Sequence, residues 1–160
     1  LAEGTTADGL LAEFEALCTR LSPVTLDGLA LTPLGRFLAL TPEGDTAALN
    51  AMAAEVVRGL DAFRAPPAEA DLARRRQANL TPAQEANLSQ WGYPYVMEAF
   101  RFHITLTGKL PKSDLPQVTA ALAPYITPHL PQPFILDSLT LVGQAEDGMF
   151  HEVHRAALSG

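Results

Sequence analysis

Residues 24–31 read Val-Thr-Leu-Asp-Gly-Leu-Ala-Leu, and residues 134–141 read Phe-Ile-Leu-Asp-Ser-Leu-Thr-Leu. Leucine and aspartate recur at the same places in both stretches with a constant offset of 110 residues, as between Leu26 and Leu136. Each stretch follows an amphipathic helical pattern that ends at proline, and each precedes a second short strand pattern. The sequence therefore predicts an internal repeat of helix, strand and strand, built as two equivalent lobes.

Apolar spacing elsewhere predicts the remaining elements and an α+β fold of two pseudo-twofold lobes, each a small, mainly antiparallel sheet covered by helices. Helices are expected over residues 6–21, 46–63, 69–78, 82–91 and 113–126 or 115–126, and strands over 24–31, 36–40, 97–106, 134–142 and 149–158. The predicted domains are a first lobe, a helical connector and a second lobe, at residues 1–63, 64–96 and 97–160.

The two copies of the repeat differ at their start. In the second copy a strand pattern at residues 101–107 precedes the helix, and the same offset places the corresponding strand of the first copy ahead of Leu1. We therefore expect the first lobe to lack its first strand in these 160 residues. Half of any site that the two lobes share is expected to be missing with it.

The composition argues against several classes of function. The chain has 160 residues, 48% of them hydrophobic, and 18 acidic against 11 basic residues. It can bury a core, but it lacks the excess of lysine and arginine that binding of duplex nucleic acid requires. A single cysteine, Cys18, and the absence of zinc-site spacing predict a cytoplasmic protein without a bound metal. We also expect neither a membrane span nor a signal peptide.

The segment from Arg101 to Thr107 has two chemically opposite faces if it forms a strand. Side chains alternate along a strand, so Arg101, His103, Thr105 and Thr107 share one face, and apolar side chains occupy the other. The polar face cannot be buried away from water without leaving hydrogen-bonding groups unpaired, so we expect it to line a cleft that contains water. Imidazole, hydroxyl and guanidinium groups supply what phosphoester cleavage without a metal requires. The alternative is an ordinary surface histidine on a half-exposed strand.

Two stretches carry a resemblance to a known family. They are Trp-Gly-Tyr-Pro-Tyr at residues 91–95 and Phe-Arg-Phe-His-Ile-Thr-Leu-Thr-Gly at residues 100–108. Together they resemble a bacterial family of phosphonate metabolism proteins, which is similar to a branch of the two-histidine (2H) phosphoesterase superfamily. The resemblance runs over essentially the whole chain, including the arginines at residues 74–76.

Members of that superfamily have two lobes, each of which contributes one His-x-Thr or His-x-Ser strand to a shared cleft. The resemblance implies that His103 and Thr105 form the second motif of a metal-independent phosphodiesterase. Its implied substrate is a small cyclic or linear phosphodiester, such as a cyclic ribose phosphate or a nucleotide. The first motif has no counterpart in this sequence, so activity is expected only in a longer natural protein. A non-catalytic phosphate- or nucleotide-binding module and a structural partner domain stay open as alternatives.

Further residues are candidates for substrate binding. Tyr93 and Tyr95 could stack on a base or sugar, although aromatic residues in such a turn also serve as packing anchors. Arg74, in the basic cluster, and Lys109 could reach a substrate phosphate, although a charged helix face needs no function.

Two histidines near the carboxyl terminus give only a weak metal signal. His151 and His154 are expected on opposite faces of a strand, which argues against a metal site there. No cofactor is expected.

Overall fold

The computed structural model describes residues 1–160 and has an α+β fold, as the sequence predicts. The α-helices are α1 Ala7–Arg20, α2 Ala47–Leu60, α3 Glu69–Arg76, α4 Pro82–Trp91 and α5 Leu115–Ile126. The strands are β1 Val24–Leu26, β2 Gly28–Leu34, β3 Phe37–Glu43, β4 Ile104–Thr105, β5 Phe134–Leu136, β6 Ser138–Gln144 and β7 Phe150–Ala157. No helix combines the length and the apolar character that crossing a bilayer would need.

The chain divides into two compact units, and both are discontinuous in sequence. Unit 1 contains residues 1–24, 49–100 and 136–160, and unit 2 contains residues 25–48 and 101–135. The lobes predicted from the sequence are continuous segments, so they do not coincide with these units.

Unit 2 is built on a small antiparallel sheet in the order β2-β3-β4. Helix α5 packs on β2 and β3, and the short strands β1 and β5 form a separate two-stranded sheet. Leu29, Leu38, Ala39 and Leu115 are buried in this unit. The apolar sides of one sheet and one helix thus supply its core.

Unit 1 combines the remaining helices with the antiparallel hairpin of β6 and β7. Helix α1 packs on this hairpin and contributes buried Phe14, Leu17 and Cys18 to the core. Burial, together with the nearby Glu15 carboxylate, raises the pKa of the Cys18 thiol, so this cysteine stays in the unreactive thiol form.

Local side-chain hydrogen bonds fix where the helices begin. The Thr6 hydroxyl accepts a hydrogen bond from the Gly9 N–H at 3.0 Å and caps α1. Thr81 caps α4 through a reciprocal capping box whose partner is Gln84 and not the neighbouring acidic residue Glu85. Gln84 holds the third helical position, where a side chain can reach back to the capping N–H, whereas Glu85 lies one residue too far along.

Each leucine-rich stretch of the repeat forms two strands where the sequence predicted one. The break falls at Asp27 in the first copy and at Asp137 in the second. At these residues the chain passes from one sheet into another. Strands β1 and β5 pair with each other, whereas β2 pairs with β3 in a second sheet and β6 pairs with β7 in a third. A change of partner interrupts the ladder of hydrogen bonds even though the pattern of side chains continues.

The bounds of the strands follow the offset of 110 residues. Strand β1 corresponds to β5, and β2 corresponds to β6, at both ends of each strand. The order of one helix followed by three strands therefore occurs twice, in α1-β1-β2-β3 and in α5-β5-β6-β7.

Gly44 ends β3 at a position where a side chain would not fit. Its φ angle is +82°, and an added Cβ would overlap the Asp27 carboxylate. Gly35, in the turn between β2 and β3, also has a positive φ but has no neighbour within 4 Å of an added Cβ.

We predict that Gly44→Ala lowers the free energy of unfolding more than the matched change Gly35→Ala. The change at Gly35 costs about 1 kcal/mol of backbone strain, and the overlap with Asp27 adds roughly 1 kcal/mol more at Gly44. Urea unfolding of both variants measures the difference. Equal losses of stability in the two variants would show that Asp27 does not constrain this turn. The same conclusion would follow if the difference between the two variants remained unchanged in a chain that also carries Asp27→Ala.

Candidate functional site

The candidate site lies at the outer edge of the three-stranded sheet in unit 2. Strand β4 pairs with β3 through only two residue pairs, Ala39 with Thr105 and Leu40 with Ile104. His103 immediately precedes this strand, and both His103 and Thr105 are exposed. The sheet thus presents the histidine and the hydroxyl at its rim.

The strand predicted over residues 97–106 is wrong in its extent. Residues Met97–Ala99 form a 3-10 helix, and the ladder begins only at Ile104. Continuing the register of β3 and β4 by two residues would set Pro42 opposite Phe102. Proline has no N–H to donate, so β3 cannot extend the ladder there.

The apolar face predicted for this segment is only partly covered. Phe102 contacts Phe134, with ring centroids 6.1 Å apart, but Ile104 and Leu106 are 40% and 37% exposed. Helix α5 packs on β2 and β3, and β4 lies at the edge of that sheet. The apolar face of this segment is therefore not fully packed within unit 2.

The imidazole of His103 is held in a defined orientation. Its Nδ1 lies 2.8 Å from the carbonyl oxygen of Arg101. A carbonyl only accepts hydrogen bonds, so in the neutral ring Nδ1 carries the proton and Nε2 has the free lone pair. The ring also rests against Phe37, at 5.8 Å between centroids. The nitrogen that remains for chemistry is Nε2.

The two threonines that follow have different roles. The hydroxyl of Thr105 makes no hydrogen bond within the chain, and the residue is exposed. The hydroxyl of Thr107 accepts the N–H of buried Leu38 at 3.0 Å and donates to the Gly108 carbonyl. Thr105 is thus available to a ligand, whereas Thr107 is part of the scaffold.

The segment after Thr107 is tied down by Arg36. The N–H of Leu110 donates to the Arg36 carbonyl at 2.6 Å, and the Arg36 Nε donates to the Leu110 carbonyl at 3.1 Å. Lys109 sits on this fixed backbone and is exposed. Arg101, also exposed, contributes its carbonyl to the orientation of His103.

Of the residues predicted for the site, His103, Thr105, Arg101 and Lys109 belong to unit 2, whereas Tyr93, Tyr95 and Arg74 belong to unit 1. Within unit 1 the two tyrosine rings meet edge to face at 5.6 Å. Arg74 pairs with Asp71 at 2.7 Å and is directed to solvent.

Two residues with site-like contacts were not singled out from the sequence. Phe37 supports His103 from a separate strand, a long-range contact that has no local signal. Arg75 places its guanidinium carbon 4.6 Å from the centre of the Tyr93 ring. The sequence indicates Arg75 only as one of the three arginines at residues 74–76 that could together reach a substrate phosphate, and the structure separates it from its neighbours.

The histidines of β7 take part in structural contacts. His154 Nε2 lies 3.0 Å from a Glu15 carboxylate oxygen, and its ring meets Phe14 edge to face. No group of three or more histidine, cysteine, aspartate or glutamate side chains converges as metal ligands would. The prediction that His151 and His154 lie on opposite faces of the strand is wrong, because a register shift in the pairing of β6 and β7 sets His151 opposite Gly143 and His154 opposite Leu141, on the same face.

The site as a whole is an exposed imidazole and a free hydroxyl, two residues apart, at a sheet edge in an α+β protein. The chain belongs to the family described as Protein of unknown function (DUF1045), whose model matches residues 1–151.

Two curated relatives carry the name Ribose 1,5-bisphosphate phosphokinase PhnN. The protein from Janthinobacterium sp. (strain Marseille) is 35% identical over 165 residues, which cover 100% of this chain and 36% of that protein. The protein from Laribacter hongkongensis (strain HLHK9) is 34% identical over 152 residues, which cover 92% of this chain and 34% of that protein. The chain thus spans about a third of the length of these relatives.

We predict that Thr107→Val destabilises the fold whereas the matched change Thr105→Val does not. Thr107→Val leaves the buried N–H of Leu38 without an acceptor and costs about 1 to 3 kcal/mol of stability. Thr105→Val alters an exposed hydroxyl and costs less than about 0.5 kcal/mol. Chemical unfolding measures both. Equal stabilities would contradict the division into a scaffold threonine and a ligand-facing threonine.

Proposed function

We propose that the chain carries one half of a metal-independent phosphodiesterase site of the 2H type, with His103 and Thr105 as the His-x-Thr motif. The observation that carries the proposal is the orientation of His103, whose Nδ1–H is used by the Arg101 carbonyl so that Nε2 remains free. Thr105, the next side chain on the same face of the segment, has a hydroxyl with no partner in the chain. A free imidazole nitrogen beside a free hydroxyl is what proton transfer at a phosphate requires.

The reaction is hydrolysis of a phosphodiester. Water forms a bond to phosphorus and gives up a proton to one histidine, while the bond from phosphorus to the leaving oxygen breaks and the other histidine protonates that oxygen. His103 supplies one of these two roles through Nε2, and its partner supplies the other. The Thr105 hydroxyl donates a hydrogen bond to a non-bridging phosphoryl oxygen, whose charge increases in the transition state.

The repeat supports a second motif. Strand β4 precedes α5 in the second copy and pairs with β3, the last strand of the first copy. By the same rule, a strand that precedes α1 would pair with β7, the last strand of the second copy. We propose that this strand carries the other His-x-Thr motif and adds a third strand to the hairpin of β6 and β7 in unit 1.

The outer edge of β7 suits such a strand. Strand β7 pairs with β6 alone, so the hydrogen-bonding groups of its other edge have no strand partner. Phe150 and Val153 on β7 are 66% and 61% exposed. Two-stranded sheets are marginal, and an open apolar edge favours the addition of a further strand. The relatives are about three times the length of this chain.

The names of the relatives favour a small phosphorylated ribose as substrate and a role in phosphonate metabolism. Kinase chemistry is not proposed for this chain, because it contains no G-x-x-x-x-G-K-[S/T] loop. Its nearest match begins at His103, where that loop has glycine, and ends at Leu110, where the loop has serine or threonine. We assign the kinase activity of the relatives to the parts that this chain does not cover.

Arg101 and Lys109 are proposed to bind the phosphate of the substrate, because both are exposed cations on the segments that flank the motif. Tyr93, Tyr95 and Arg74 stay predictions as further binding residues.

We predict that His103→Ala, made in the natural protein with its full sequence, lowers turnover of a cyclic ribose phosphodiester by about 100-fold or more, as loss of a general acid or base does. His129→Ala is the matched control, since His129 is an exposed histidine outside the motif and should leave turnover unchanged. Steady-state kinetics with both variants make the comparison. Turnover that survives His103→Ala would refute the assignment, and binding without any turnover in the unaltered protein would favour a non-catalytic phosphate-binding module.

We also predict that EDTA leaves this turnover unchanged, because the proposed steps use two imidazoles and hydroxyl groups only. The measurement is the initial rate before and after dialysis against the chelator. A loss that added divalent metal restores would contradict the metal-independent mechanism.

A further inference from the structure

The three consecutive arginines of α3 are not equivalent. Arg74 pairs with Asp71 at 2.7 Å, and Arg76 pairs with Glu85 at 2.9 Å and faces Glu69 at 3.9 Å. Arg75 has no carboxylate within ion-pairing distance and is only half-exposed. Its guanidinium instead stacks over Tyr93. Arg75 is thus the member of the cluster whose charge is not neutralised by a neighbour.

Two tyrosine rings extend this stack at the surface of unit 1. Tyr93 and Tyr95 are each 42% exposed, although aromatic rings of this size are usually more deeply covered. Their planes stand at 72° with the centroids 5.6 Å apart. One guanidinium and two aromatic rings therefore form a continuous surface, which we call the Arg75–tyrosine platform.

The turn that bears the tyrosines is rigidly held from below. Pro94, between the two rings, is fully buried. Gly92 ends α4 with a φ of +71°, and an added Cβ would come within 2.8 Å of the Arg64 guanidinium, which itself bonds the Gln90 carbonyl. Buried Asn87 donates to the Val96 carbonyl at 3.0 Å. The rings are thus positioned before any ligand arrives, which lowers the entropic cost of binding.

We propose that the Arg75–tyrosine platform binds the base and phosphate of a nucleoside monophosphate. A guanidinium that stacks through its face keeps its N–H groups for a phosphate, which it binds with two parallel hydrogen bonds. An exposed tyrosine ring offers a π-face to a planar base. The platform combines two exposed aromatic rings with a cation that has no carboxylate partner, so its chemistry fits a small anion with an aromatic ring.

This inference goes beyond the proposed hydrolysis, because it rests on contacts within unit 1 and requires no histidine. Nucleotide binding and phosphodiester turnover can therefore fail separately. The variant His103→Ala should bind a nucleoside monophosphate as the unaltered chain does.

The test is isothermal titration of this chain with AMP, accompanied by ribose 5-phosphate and inorganic phosphate as probes that lack the base. We expect AMP to bind roughly tenfold or more tightly than either, since stacking on the tyrosine rings supplies the difference. Arg75→Gln and Tyr93→Leu should each weaken AMP binding by about tenfold. Circular dichroism and urea unfolding show whether each variant keeps the fold. Arg75→Lys is a second, more conservative variant that retains the positive charge but loses the planar guanidinium.

Matched controls come from the same chain. Arg58→Gln removes an exposed arginine of α2 that pairs with Glu55, and Tyr125→Leu removes the 78% exposed tyrosine of α5. Neither should change the affinity for AMP. Three results would each overturn the proposal. They are equal affinities for AMP and ribose 5-phosphate, AMP binding that survives both Arg75→Lys and Tyr93→Leu, and no AMP binding at all.

Discussion

The buried backbone of Leu38 holds the candidate site in place. Its N–H donates to the Thr107 hydroxyl, and its carbonyl accepts the N–H groups of Leu106 and Thr107. Leu38 has no exposed surface, so water cannot replace these bonds, and losing one would leave a polar group stranded in the core. This constraint fixes the register of β4 against β3. The register sets Thr105 at the sheet edge with His103 just ahead of it.

Sequence reasoning predicted the helices well, because their apolar stripes, caps and prolines are local signals. Helix α4 begins and ends where the sequence predicted it, at Pro82 and Trp91. The strand before His103 was predicted too long, because alternation records which side chains are apolar but not whether a neighbouring strand can donate hydrogen bonds. Pro42, about 60 residues earlier in the chain, limits that ladder. The separate roles of Thr105 and Thr107, and the support of His103 by Phe37, likewise depend on contacts between distant segments.

The internal repeat explains why the compact units are discontinuous. Each unit joins the helix of one copy to the hairpin of the other, α1 with β6 and β7, and α5 with β2 and β3. Neither copy could bury the apolar face of its helix without the strands of the other copy. In unit 2 a third strand, β4, pairs with β3 and extends the hairpin of β2 and β3. In unit 1 the edge of β7 has no third strand, and the proposal of a second motif rests on this difference between the two hairpins.

Hydrogen exchange along β7 tests this account most directly. The backbone amides of β7 would be compared between the 160-residue chain and the natural protein with its full sequence. A strand that pairs with the free edge should slow exchange at the β7 amides that face away from β6 by about 100-fold, because they become hydrogen-bonded. Amides that already bond to β6 provide the internal reference. Equal rates at the outward amides in both proteins would contradict the proposal that a second strand completes the site.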